Sequence, residues 1–448
     1  MAEKQADLPA SLKHQLHHRL RPMTGRDPRE RGRSTTPIEL LYDLTYVIAF
    51  GAAADQLAHQ ISEGHVGPAL GAYAFAIFSV TWAWMNFTWF ASSYDNDDAL
   101  FRIATLVQMI GVIVLTFGLP VSFDAAAHGH SPNNLLMVVG YIIMRVPLIG
   151  LWLRAARQDR AHRRIAVAYA VAIAVAQTGW LLSAILPLPV AVTVGVLVLL
   201  AVAEMAAPVV LERNLGAPPW NAGHIAERFS LLTLITIGEV VAATTSAVGA
   251  LIRAQGWTIA AIAIAASGLV LAGAMWWAYF LIPSRPILER WPERTFGWRY
   301  AHLPIFGAIA AVGAGLRVAT TAVEEKELSA LEVVLALAIP VAVLVLTIFA
   351  TWTVLMRSYD LTHVPLLVLN LVPLVAAVGL PLLLHSTEPV DPARPASLAI
   401  LVGAIALVAL SAVVEVVGHE RVGFTHTMRA LDEGRPARPG PPAGDGAE

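Results

Sequence analysis

The sequence contains no cysteine, and only 14% of its 448 residues carry a charge. The lack of cysteine excludes disulfides, thiol nucleophiles and cysteine-ligated zinc or iron–sulfur sites. A net charge of −2 excludes the broad basic surface of a nucleic-acid-binding protein. Phosphate-binding loops, His-Glu-x-x-His and Gly-x-Ser-x-Gly motifs and dinucleotide fingerprints are also missing. We therefore expect no cofactor, no metal site, no nucleic-acid partner and no enzymatic activity.

Hydrophobic residues make up 57% of the chain and are concentrated in long blocks. A transmembrane helix needs about 20 mostly apolar residues. Blocks of this kind lie near residues 37–57, 68–91, 100–120, 133–154, 163–186, 190–211, 224–249, 256–281, 299–320, 328–356, 362–384 and 395–418. The sequence therefore predicts an all-α fold, a polytopic transmembrane helical bundle of about twelve spans in contact with the lipid bilayer.

The distribution of lysine and arginine predicts the orientation of the helices. If the twelve helices alternate in direction, most of these residues fall on the side that holds the N-terminus, which the positive-inside rule makes cytoplasmic. Both termini are then cytoplasmic. Residues 1–36 are polar and basic, without the apolar core of a signal peptide, and 422–448 are rich in proline and glycine. We expect both segments to be disordered cytoplasmic tails.

Polar landmarks recur in the two halves of the chain. Arg102-Ile-Ala-Thr-Leu and Gly118-Leu119 reappear, with equal spacing, as Arg299-Tyr-Ala-His-Leu and Gly315-Leu316. Ala-Val-Ala-Glu204 likewise resembles Ala-Val-Val-Glu415. The pattern predicts two parallel six-helix repeats, 37–213 and 221–421. Parallel repeats occur in secondary transporters, which bind substrate between the halves, although a channel or an enzyme could be built in the same way.

The first predicted helix carries two acids near its beginning. Glu39 and Asp43 are four residues apart and therefore lie on one helical face. Two close carboxylates tend to share a proton, which would suit the handling of protons or cations. The alternative is an ordinary helix start, with Thr35 or Thr36 as the cap and Pro37 in the first turn.

The seventh predicted helix has the most specific polar pattern. His224, Glu227 and Arg228 share a face, which would allow an ion pair within the helix. Glu239 follows about 16 Å deeper on nearly the same face, by the rise of 1.5 Å per residue, and Gly238 beside it would permit close backbone contact. The alternative is a purely structural ion pair.

Two further ionisable residues lie within predicted helices. Arg145 is the only cation deep in a span and needs an acidic partner, for which Glu239, Glu204 and Asp43 are candidates. His302 is either a proton relay or, as is more common, a hydrogen-bonded core residue. The acidic turn 94–98 is expected to be solvated or paired with a nearby arginine.

Several of these stretches together resemble the bacterial low temperature requirement A family. They are Glu39-Leu-Leu-Tyr-Asp43, the acidic turn after the tryptophan-rich second helix, His224-Ile-Ala-Glu227-Arg228-Phe with Gly238-Glu239, and Tyr300-x-His302. The resemblance implies a multi-pass protein of the bacterial plasma (inner) membrane that is associated with growth in the cold. It implies no particular molecular activity.

The leading hypothesis is a secondary transporter for a small solute or ion, with coupling to protons as one option. Its polar path would be lined by Glu39, Asp43, Arg145, His224, Glu227, Arg228, Glu239 and His302. One alternative is a cation channel with six-helix repeats, to which the first helix bears a fainter likeness. The other is a membrane-embedded enzyme or scaffold that acts on lipid during cold adaptation.

Overall fold

The computed structural model describes residues 20–357, 363–386, 388–421 and 428. Within these residues the fold is helical, and twelve helices are long and apolar enough to cross a membrane, which confirms the predicted fold class and span number. The predicted tail at 422–448 lies outside the described residues apart from Met428, as do residues 1–19 of the N-terminal one.

The helices extend a few residues beyond most of the apolar blocks. They are α1 (Pro37–Ser62), α2 (Val66–Tyr94), α3 (Ala99–Ala127), α4 (Leu135–Gln158), α5 (Arg163–Ile185), α6 (Val190–Leu215), α7 (Ala222–Gln255), α8 (Ile259–Phe280), the short α9 (Ser284–Arg290), α10 (Thr295–Glu325), α11 (Ala330–Met356), α12 (His363–Leu383) and α13 (Pro395–Arg421). Polar residues at the helix ends satisfy terminal backbone groups. For example, Asp98 caps α3 by accepting a hydrogen bond from the backbone N of Phe101 at 2.9 Å.

The described chain forms two compact units. The first contains the residues up to Glu239 and Leu288–Pro292, and the second contains Val240–Ile287 and the residues from Glu293 onward. In the first unit, α4 packs on α3 and α5, while α1 packs on α2 and α3. In the second, α10 packs on α11, and α13 packs on α8, α11 and α12.

Glycine permits close helix pairing in each unit. A Cβ atom on Gly111 of α3 would lie 2.7 Å from the carbonyl oxygen of Gly140 on α4. In the second unit, a Cβ atom on Gly315 of α10 would lie 2.6 Å from the carbonyl oxygen of Ala336 on α11. Close approach of backbones through small residues is a common way to pack helices in membranes, where hydrophobic burial contributes little.

Residues 20–36 differ from the disorder expected for the N-terminal tail. The backbone N of Met23 donates to the Gln158 side chain at 2.6 Å, and that of Gly25 donates to Asp159 at 3.1 Å. The segment therefore lies across the loops at one end of the first unit. Disorder was predicted from the basic and polar composition of this segment. The composition does not reveal its loop partners, because they are distant in sequence.

Candidate functional site

Four ionisable side chains meet between α1 and the beginning of α7. Arg228 donates from Nη1 to Glu39 at 2.7 Å, and from Nη2 and Nε to the two oxygens of Asp43 at 2.5 and 3.1 Å. His224 Nε2 lies 3.2 Å from Glu39 Oε2. All four side chains, which we call the charge cluster, have no exposed surface. A two-pronged guanidinium–carboxylate pair of this kind holds both partners in a fixed geometry.

Glu39 belongs to the charge cluster and also to the helix start. Its carboxylate accepts hydrogen bonds from the backbone N of Thr36 at 2.9 Å and from the Thr36 hydroxyl at 3.0 Å. Thr36 is the N-cap of α1, and Pro37 occupies its first turn. The helix start that the sequence offered as one interpretation of Glu39 is therefore present, and the handling of protons or cations stays a prediction.

Asp43 lies one turn deeper and is held by donors from two other helices. Besides Arg228, it accepts a hydrogen bond from Trp84 Nε1 of α2 at 2.6 Å. The Arg228 guanidinium lies 5.7 Å from the ring centroid of Trp84. Removal of one partner from such a buried pair typically costs about 3–5 kcal/mol, because it leaves a buried charge without compensation.

Two charged residues from outside the spans extend the charge cluster toward the end of the unit. Asp95, just after α2, lies 3.4 Å from the Thr36 hydroxyl. Burial and the neighbouring charge of Glu39 raise the pKa of Asp95 to about 7. Arg33 donates to the carbonyl oxygens of Ala91 and Ser92, and burial followed by repulsion from Arg26 lowers its pKa to about 10.

Arg145 forms a separate ion pair. Its Nη2 donates to the Tyr141 hydroxyl at 2.5 Å and lies 3.5 Å from Glu204 Oε2. Glu204 also accepts hydrogen bonds from Tyr141 at 2.6 Å, from Trp180 at 3.2 Å and from Gln177 at 3.3 Å. Of the three candidate acids, Glu204 of α6 is therefore the partner of Arg145.

The remaining predicted residues of α7 do not join the charge cluster. Glu227 is half-buried and accepts a hydrogen bond from the backbone N of Thr35 at 3.3 Å, so the expected ion pair within the helix is replaced by contacts to other segments. Glu239 lies against α1, where a Cβ atom on Gly51 would be 2.9 Å from its Oε2. The expectation for Gly238 was wrong, since a Cβ atom there would meet nothing within 4 Å.

His302 belongs to the second unit. Its Nδ1 lies 2.8 Å from the carbonyl oxygen of Trp298, and its Nε2 lies 2.9 Å from the Tyr279 hydroxyl. The carbonyl can only accept, so Nδ1 carries the proton and Nε2 accepts from Tyr279. This arrangement is that of a hydrogen-bonded core histidine.

The acidic turn 94–98 divides into one half-buried and two buried acids. Asp97 forms an ion pair with Arg102, with 2.7 Å between Oδ2 and Nη2, which is one of the two outcomes expected. Asp95 and Asp98 are buried instead of solvated. Asp98 pairs with Arg154. Burial alone would raise the pKa of Asp98, but the hydrogen bond from the Arg154 guanidinium helps to lower it below its ordinary value. Among the described residues, no group of three or more His, Cys, Asp or Glu side chains could hold a metal ion.

A protein-family model matches most of the chain. The family is described as Bacterial low temperature requirement A protein (LtrA), and the match covers residues 34–418. The chain belongs to this family. Its predicted family resemblance is thus confirmed, and the matched region of this LtrA member contains the whole charge cluster. No curated protein and no solved structure matches the chain significantly.

Several residues of these sites were missed by sequence reasoning. Trp84 and Trp180 were not among the predicted site residues, and nothing in their spacing indicates that they donate to buried acids. Gln177 could have been found, because it is a polar side chain within the otherwise apolar middle of α5. Asp95 was assigned to a turn that was expected to be solvated or paired with an arginine, because the N-terminal segment that buries it is distant in sequence.

Proposed function

We propose that this LtrA-family protein is a secondary transporter that couples the movement of a small solute or ion to a proton. The observation that carries the proposal is the charge balance around Arg228. Three carboxylates, those of Glu39, Asp43 and Asp95, are buried with only two guanidinium groups, those of Arg33 and Arg228. A buried net charge is costly, so this arrangement favours the binding of one proton.

The geometry around His224 indicates where that proton resides. Nε2 of His224 faces Glu39, and its buried Nδ1 has no hydrogen-bond acceptor among the described residues. A second proton on this ring would be unpaired, which disfavours the charged form. Asp95 is the better acceptor, because its pKa is raised to about 7 and it lies outside the membrane-spanning helix. The proton is therefore available at physiological pH.

Proton binding has a direct consequence for the contact between α1 and α7. The charge of Asp95 repels that of Glu39, and Glu39 is one of the two acids that hold Arg228. Protonation of Asp95 thus strengthens the pairing of α1 with α7, and its deprotonation weakens it. A proton-dependent contact between two spans is what a proton-coupled transporter requires in order to alternate between states.

The internal duplication predicted from the sequence supports the proposal, because parallel repeats are one architecture of secondary transporters. The predicted repeats begin with α1 and α7, and the first of these helices supplies the acids while the second supplies the bases. His224 follows Glu39 by 185 residues, and Arg228 follows Asp43 by the same number. Equivalent positions on the two initial helices therefore carry complementary charges.

Matching hydrogen bonds within each unit support the same duplication. Trp89 of α2 donates to Glu212 at the end of α6 at 2.9 Å, and Trp277 of α8 donates to Glu420 at the end of α13 at 3.1 Å. Amide side chains of α5 and α12 likewise contact Glu204 and Glu415 on the helices that follow. We infer parallel six-helix repeats with both termini in the cytoplasm and the protein in the bacterial inner membrane.

The proposal can be tested with purified protein in liposomes that contain a pH-sensitive dye. A pH gradient is imposed, a panel of small solutes is added class by class, and internal pH is recorded. We expect at least one class to change the proton flux. Asp43→Asn should return the flux to the level of empty liposomes. The amide oxygen still accepts the hydrogen bond from Trp84, but the substitution removes one buried negative charge, so the site no longer needs a proton to balance its charge.

The matched control is Glu324→Gln. Glu324 is an exposed acid at the end of α10 that pairs with Arg253, and the variant should transport normally. If Asp43→Asn does not fold, Asp95→Asn replaces it, and we expect loss of the pH dependence of flux. Normal flux in a folded Asp43→Asn protein, or no response to any solute, contradicts the proposal. A steady ionic current without coupling would favour the channel, and altered lipid without flux would favour the lipid-acting enzyme.

A further inference from the structure

Four exposed arginines lie close together where α4 ends and α5 begins. They are Arg157, Arg160, Arg163 and Arg164, which we call the arginine patch. Among the described residues, no acid forms an ion pair with any of the four. Like charges at such short separations repel one another, so an anion beside the arginine patch would be favourable.

The one acid within this stretch does not neutralise the arginine patch. Asp159 is buried, and its carboxylate accepts hydrogen bonds from the backbone N of Gly25 at 3.1 Å and of Ala161 at 3.0 Å. It also lies 2.8 Å from Nδ1 of His162. The carboxylate is therefore used to hold the loop and the N-terminal segment together.

Other arginines at the same end of the first unit are paired with acids. Nη2 of Arg102 lies 2.7 Å from Oδ2 of Asp97, and Arg154 forms an ion pair with Asp98. Each of these arginines thus has its charge balanced by a neighbouring turn. The arginine patch differs from them, because it leaves a local excess of positive charge at the surface.

The arginine patch continues the apolar outer faces of two helices. Leu153 and Arg157 are four residues apart on α4, and Val167 and Arg163 are four apart on α5, so each pair shares a helical face. Leu153 and Val167 are exposed, and both helices are candidate membrane spans. These two side chains would therefore contact acyl chains.

The distance along each helix places the arginines in the headgroup layer. Four residues of helix rise about 6 Å. The polar layer on each side of the hydrocarbon core is about 5–8 Å thick. An arginine one turn beyond the last lipid-facing apolar residue therefore lies at the depth of the phosphate groups.

We propose that the arginine patch binds the headgroups of anionic phospholipids in the adjoining leaflet. Basic residues next to a membrane span attract anionic lipid through their charge. The four side chains lie open at the surface, which suits a bilayer better than a small free anion that needs an enclosing site. The inference rests on α4 and α5 being membrane spans. It does not depend on the proposed proton-coupled transport, because none of the four arginines belongs to the charge cluster.

The test measures energy transfer from a dye on Ala161→Cys of the full chain to an acceptor-labelled lipid in phosphatidylcholine nanodiscs. Ala161 is exposed beside the arginine patch, and the natural chain has no cysteine. The acceptor is phosphatidylglycerol or phosphatidylcholine at the same trace fraction. We expect more transfer to phosphatidylglycerol, and unlabelled phosphatidylglycerol should displace this excess saturably. Raising the salt from about 0.1 to about 1 M should reduce it, because the Debye length falls from about 10 to about 3 Å.

Charge variants make the result specific to the arginine patch. Glutamine at all four positions should abolish the excess transfer, whereas lysine at all four should retain it, because lysine keeps the charge. Arg102→Gln is the matched control, since it removes a paired arginine at the same end of the unit, and it should keep the excess. If the protein with four glutamines does not fold, Arg164→Gln replaces it. The fraction of unlabelled phosphatidylglycerol that displaces half of the excess should then rise about fivefold.

Three outcomes would overturn the proposal. One is equal transfer to the two acceptors in the wild type, or an unchanged excess in a folded protein with four glutamines. The other two concern competitors added at matched ionic strength, inorganic phosphate and polyglutamate, neither of which should remove the excess. Removal by phosphate would assign the arginine patch to a free anion, and removal by polyglutamate would assign it to an acidic protein.

Discussion

Asp95 is the residue whose behaviour depends most on groups outside its own helix. Thr36, Glu39 and Arg33 all come from the N-terminal part of the chain and surround this acid at the end of α2. Without that segment the turn would be solvated, as the sequence suggests. Its burial converts an ordinary surface acid into a group that titrates near neutral pH.

The stability of the protein should therefore depend on Asp95 as pH rises. The pKa of Asp95 is raised to about 7 in the folded protein, so the folded state binds this proton more tightly than the unfolded state does. The resulting stabilisation is complete below the ordinary pKa of an aspartate and is lost as pH rises through about 7. We expect the melting temperature in detergent, recorded at a series of pH values, to fall across this interval.

Asp95→Asn should reduce that slope, because asparagine stays neutral while its side-chain oxygen still accepts from the backbone N of Asp97, as Asp95 does at 2.8 Å. Glu324→Gln, a change at an exposed ion pair far from Asp95, should keep the wild-type slope. A slope that is the same in Asp95→Asn and the wild type would show that other groups control the pH dependence.

At the scale of helices, α3 and α4 illustrate packing that composition does not reveal. Gly111 and Gly118 of α3 and Gly140 of α4 bring backbone against neighbouring chain, whereas Gly150 of α4 faces open space. The four glycines look alike in sequence. Their roles differ because only three of them lie on the faces where the two helices cross.

Gly140→Ala should destabilise the protein by about 1–3 kcal/mol, because the added methyl meets backbone atoms of Gly111 and Leu115, which cannot move aside. Thermal unfolding in detergent measures the effect. Gly150→Ala is the matched control on the same helix, and it should be neutral or slightly stabilising, since alanine favours the helical backbone. Equal melting temperatures for the two variants would contradict the close crossing of α3 and α4.

At the scale of the whole molecule, the even number of candidate spans in the described residues predicts that both ends of the chain lie on one side of the membrane. Combined with the basic loops, this number predicts that the loop between α3 and α4 is outside and that the loop between α4 and α5 is cytoplasmic.

The lack of cysteine makes this topology directly testable, because any introduced cysteine is unique. His128→Cys lies in the exposed loop after α3, and a membrane-impermeant maleimide should label it in intact cells. Arg160→Cys lies in the exposed loop after α4, and it should be labelled only after the membrane is opened. The reverse pattern would invert the orientation, and labelling of both in intact cells would contradict the predicted count of spans between them.

The helices and their number were determined by the sequence alone, because a span depends on a continuous apolar run of about 20 residues, which is a local property. Helical periodicity also placed Glu39 with Asp43 and His224 with Arg228 on shared faces. Periodicity does not indicate which helix a face will meet. Only the tertiary structure decided that Arg228 pairs with the acids of α1 and that Arg145 pairs with Glu204, because both choices depend on packing between helices far apart in the chain.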